Sequence, residues 1–104
     1  MKVESNFKYN YVWVIDDSTI DNYVTDKVIK KSGFASEVSC FTEARMALLS
    51  LKSRIGTNKR MPEVLFLDIS MPVMNGFDFL EGFNEIDFKT EQKPIIFMLF
   101  SSVD

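Results

Sequence analysis

The sequence predicts an α/β fold built on a mostly parallel sheet. Three observations carry this: strand-like and helix-like segments alternate strictly, the strand runs are apolar without a break, and two of them stop on carboxylates. Continuous apolar strands of this kind are buried on both faces, which requires helices on both sides of the sheet.

Each element has its own justification. YVWVI, residues 11–15, is a β-branched and aromatic run that reads as a first strand and ends on Asp16-Asp17. From Ser18 to Lys31, Ile20, Val24 and Val28 recur every fourth residue, which is helical spacing. Ser18 or Thr19 can cap that helix, and Gly33 stands where a helix stops. SEVSCF, residues 36–41, reads as a second strand, with Cys40 a small buried hydrophobe in it. Thr42 is placed to cap a second helix, on which Ala44, Leu48, Leu51 and Ile55 follow an i, i+4, i+7, i+11 pattern. After the loop GTNKRMP comes a third strand, EVLFL, closed by Asp68. An Asn75-Gly76 turn follows, and Phe79, Phe83 and Ile86 mark a third helical face. The polar stretch DFKTEQK then leads to a final strand, PIIFML.

Bulk composition narrows the function. A chain of 104 residues, 46% of them hydrophobic, suits one domain. The net charge is −3 and the basic residues are dispersed, which argues against nucleic acid and anionic membranes as partners. One cysteine excludes an intrachain disulfide, and the absence of histidine excludes His-based bases, His metal ligands and Ser-His-Asp triads. No signal-peptide core stands in the first ten residues, and the longest apolar run, IIFMLF, is far short of a membrane span. A soluble cytoplasmic protein is the expectation.

Parallel sheets place their chemistry at the carboxyl ends of strands, near a switch in strand order. Asp16, Asp17 and Asp68 all stand at such ends. Brought to one rim, three carboxylates repel one another unless one takes a proton or a hard dication joins them. Mg2+ prefers oxygen ligands and commonly uses one or two carboxylates with phosphate oxygens. Aspartate is also a known covalent phosphoryl acceptor.

At these residues the chain resembles the receiver domain of two-component response regulators. VWVIDDST and LDISMPVMNG carry the likeness, and IIFMLFSSVD is similar to that family's fourth strand and the start of its switch loop. The resemblance implies a flavodoxin-like doubly wound sheet of order 2-1-3-4, with residues 1–10 an N-terminal extension and 11–104 the receiver domain. It makes Asp68 the phosphoacceptor, fed by a histidine kinase or phosphotransfer protein. Mg2+ is then held by Asp17 directly, by Asp16 through a water, by Asp68, and by the backbone carbonyl of Ser70. Gly76 is expected to adopt a backbone conformation that other residues resist.

Two departures from the family pattern follow. By the family's register Phe100 occupies the place of the switch hydroxyl, and a one-residue shift brings Ser101 into that role instead. The chain also stops before the family's fifth strand, its lysine and last helix, so the domain reads as incomplete and as a poor phosphoacceptor. The bared fourth strand is expected to pair with a second copy, giving a homodimer. Beyond self-phosphorylation and dephosphorylation no enzymatic activity is implied. A degenerate receiver serving only protein interaction is the alternative. An Asp-nucleophile phosphohydrolase of the haloacid-dehalogenase kind is a third reading, but it wants an acid at the place of Ser70.

Overall fold

The structure, a computed structural model, describes residues 7–99. Seven elements follow one another: β1 (Tyr9–Ile15), α1 (Thr19–Lys31), β2 (Ala35–Phe41), α2 (Ala44–Arg54), β3 (Val64–Asp68), α3 (Gly76–Asn84) and β4 (Ile95–Leu99). The four strands form one sheet of order β2-β1-β3-β4, parallel throughout. The predicted fold class and strand order are what is found.

Strand alternation sorts the core into two layers. Trp13, Ile15, Leu65 and Leu67 point to one face, where Ala44, Ala47, Leu48 and Leu51 of α2 and Phe79 and Phe83 of α3 pack on them. Val12, Val14 and Val64 point to the other, where α1 contributes Ile29. Among the described elements, α1 alone covers that second face.

Helix α1 forms where the sequence puts it but does not bury the predicted stripe. Ile20, Val24 and Val28 are 73%, 51% and 59% exposed, while Asn22 and Ile29 face the sheet. The every-fourth spacing marks one side of a helix without saying which side meets the core. Ser18 caps this helix by accepting the Asp21 N–H at 3.1 Å, and Gly33 follows its end at φ +80. Helix α2 buries the predicted Ala44, Leu48 and Leu51. Its N-cap, however, is Glu43, which makes no side-chain capping bond, and not Thr42. Cys40 is exposed on the edge strand β2, on which no further strand packs among the described residues.

The loop after β3 is tied at both ends. Asn75 is the N-cap of α3 in a reciprocal capping box with Asp78, so the Asn75-Gly76 pair opens a helix. Gly76 N–H donates to Ile69 O at 3.2 Å. Gly76 does not hold positive φ; a Cβ there would stand 2.7 Å from the Ile69 Cα. Its role is close approach, which lets α3 start directly against the end of β3.

Candidate metal and phosphoacceptor site

Neighbouring parallel strands bring the predicted acids together. In the β1–β3 register Ile15 lies opposite Leu67, which sets Asp16 level with Asp68 at the carboxyl rim. Carboxylate oxygens of Asp16, Asp17 and Asp68 all lie within 4.8 Å of one another. Asp16 and Asp68 are buried and Asp17 is exposed.

Backbone and neighbouring donors fix the two buried acids. Asp16 Oδ1 accepts the Ser18 N–H at 2.9 Å, and its own N–H donates to Phe41 O at 3.0 Å. Asp68 Oδ1 accepts both the N–H and the hydroxyl of Ser70, at 3.1 and 3.0 Å. Ser70 therefore stands against the Asp68 carboxylate, its side chain bonded as well as its backbone. The strand-end turn is closed further by Ile69 N–H donating to Leu99 O at the tip of β4.

The acids at the rim repel one another. Burial pushes the Asp16 carboxyl above its ordinary value of 3.8, and the negative charges of Asp68, Asp21 and Asp17 push the same way; the Ser18 N–H works against them. No lysine or arginine forms an ion pair with any of the three acids among the described residues. Beside Asp17 lies a cavity of about 140 Å³, lined also by Thr42, Arg45, Met71 and Val73. Val73, in the loop after the β3 aspartate, is 95% exposed.

No protein-family model and no curated protein matches the chain. Solved structures do. A two-component response regulator from Cytophaga hutchinsonii is 28% identical with a TM-score of 0.80, over 93% of this chain and 72% of that one. A response regulator receiver protein from Dyadobacter fermentans is 29% identical with a TM-score of 0.73, over 92% and 71%. Over most of its length this chain is similar to response-regulator receiver domains and has their fold. The receiver domain of the histidine kinase CKI1 from Arabidopsis thaliana, solved with Mg2+, shares the fold at 22% identity and a TM-score of 0.69, over 91% of this chain and 70% of that one.

Within this fold the acids singled out in sequence converge, and Ser70 is hydrogen-bonded to Asp68. Phe100 and Ser101 lie outside the described residues. Sequence reading missed Asn22, whose Nδ2 donates to Asp16 O at 2.9 Å and to Phe41 O at 3.3 Å. The available signal was an amide seven residues before Ile29, on a helix whose more conspicuous stripe pointed elsewhere.

Proposed function

We propose that this receiver domain accepts a phosphoryl group on Asp68 from a histidine kinase or phosphotransfer protein, in a Mg2+-dependent reaction, and thereby switches binding of a downstream protein in the cytoplasm. The single observation that supports this is the meeting of three carboxylates at one rim, two of them buried, none in an ion pair with a lysine or arginine among the described residues.

The donor set fits Mg2+, because it consists of oxygens alone and concentrates negative charge that a dication relieves. Asp17 would bind the ion directly, Asp16 through a water, with Asp68 and the Ser70 carbonyl completing the protein's share. When bound, the ion supplies charge neutralisation for the phosphoryl oxygens. The chain's own contribution is orientation. Ser70 holds Asp68 Oδ1 through two hydrogen bonds, leaving Oδ2 without a donor among the described residues. A carboxylate oxygen then forms the new P–O bond as the P–N bond of the donor phosphohistidine breaks, and the departing nitrogen keeps the electron pair. The cavity between Asp17 and Val73 gives a partner protein purchase beside the acidic cluster.

Acetyl phosphate with Mg2+ should add one phosphoryl group to the chain, seen by mass spectrometry and removed by hydroxylamine. Asp68→Asn should abolish the increment, and Mg2+ omission should reduce it to background. Equal labelling of the Asp68→Asn variant would defeat the assignment and leave the interaction-only receiver as the better reading.

Self-association is the second part of this reading. Strand β4 is an edge of the sheet among the described residues, and its Ile95 and Phe97 are 45% and 42% exposed. Such an edge pairs with another strand when one is offered. Sedimentation velocity should show a concentration-dependent dimer that Phe97→Asp weakens; a folded monomer at every concentration rules the homodimer out.

A further inference from the structure

Asn22 is a buried polar residue with no part in the site as built so far. It is 4% exposed and faces the sheet from α1. A buried amide is costly unless bonded, so an aliphatic side chain would be the cheaper occupant of that place. Both hydrogens of its Nδ2 are instead spent on the carbonyls of Asp16 and Phe41, at the carboxyl ends of two adjacent strands.

We infer that Asn22 is the positioning residue of the metal site, holding the peptide that carries Asp17. The inference rests on the reading of the acidic cluster as a Mg2+ site. The Asp16 carbonyl lies in the rigid plane of the 16–17 peptide, so fixing that oxygen fixes the direction in which Asp17 leaves the strand. Asp17 needs such help, because its exposed carboxylate has no hydrogen-bond partner among the described residues, whereas Asp16 and Asp68 each have donors of their own. Three anchors converge on Asp16: its N–H on Phe41 O, its carbonyl under Asn22, and its Oδ1 under the Ser18 N–H. The Asn22 N–H also donates to Ser18 O at 3.0 Å, closing the first turn of α1 around the acid pair. One residue thus links the helix start, two strand ends and the exposed ligand.

Removing partners of this outer kind typically weakens metal binding about 10–100-fold. Asn22→Leu keeps the size and deletes the donor. With Mg2+ alone as the probe, calorimetry should show affinity at least about tenfold below wild type. Leu51→Ala, in the α2 core, should lower the thermal midpoint and leave the affinity unchanged. Affinity of Asn22→Leu within about twofold of wild type, or an equal loss in both variants, overturns the inference. Should Asn22→Leu not fold, the wild type answers: Mg2+ should slow exchange of the Asn22 side-chain amide hydrogens, by reciprocity of the coupling. Unchanged exchange overturns it. A wild-type chain that takes up no Mg2+ defeats the reading of the cluster itself and this inference with it. Normal uptake by both wild type and Asn22→Leu defeats the positioning role alone.

Discussion

The two faces of the sheet are built differently. On the α2 and α3 side, Trp13 and Phe79 are fully buried and a chain of rings runs from Phe79 through Phe83 to Phe88, at centroid distances of 6.2 and 5.3 Å. On the α1 side, rings also touch, Phe34 to Phe66 at 5.4 Å and Phe66 to Phe97 at 5.5 Å, yet Phe97 stays 42% exposed. Among the described residues one face is closed by two helices; the other has one helix, and that helix turns Ile20, Tyr23, Val24 and Val28 outward. Contact between aromatic rings is therefore not the same as burial, and it is burial that holds the domain together.

Paired truncations measure the contrast. Phe79→Ala should cost about 3–5 kcal/mol, the usual range for emptying a large aromatic site in a closed core. Phe97→Ala removes the same atoms from a half-wet position and should cost about 1 kcal/mol. Urea unfolding of both variants at low protein concentration reads the difference. Equal losses would mean that the α1 face is as well packed as the other and that the asymmetry is only apparent.

Most of the fold was legible because its signals are local. The runs YVWVI, VLFL and PIIFML are apolar at consecutive positions, and their order among helical segments is enough to predict an α/β sheet. The acids were legible for the same reason, each closing an apolar run. What escaped was settled between segments. Nothing around Asn22 in sequence shows that the Asp16 and Phe41 carbonyls will meet its amide, and nothing in the Ile20-Val24-Val28 stripe says that it turns outward. Gly76 was recognised as special, but for its φ; the real constraint is the Ile69 backbone under its missing Cβ, a contact made only when the loop folds back.

At the rim both faces end, and burial there works against the fold. Asp68 closes a strand on the same side as Val64 and Phe66, while Asp17 lines the cavity on the α2 side, so the charges are wedged between the layers. Asp16 shows the consequence. Its carboxyl titrates above 3.8, chiefly through burial and then through the charge of Asp68. An acid raised in the folded state stabilises the fold only while protonated: the contribution is full below the unfolded value and is lost as pH rises through the folded one. At pH 7 without metal, Asp16 is therefore a net liability. Asn at this position keeps an acceptor for the Ser18 N–H and carries no charge. Asp16→Asn should melt higher than wild type at pH 7 in chelator, and the gap should close as pH falls below 3.8. Saturating Mg2+ should narrow the gap from the other side by stabilising wild type more than the variant, since the ion replaces the proton as the partner of the cluster. A variant that melts lower than wild type at pH 7 in chelator would show that the hydrogen bonds of Asp16 outweigh the cost of its burial, and that the rim is not strained by charge.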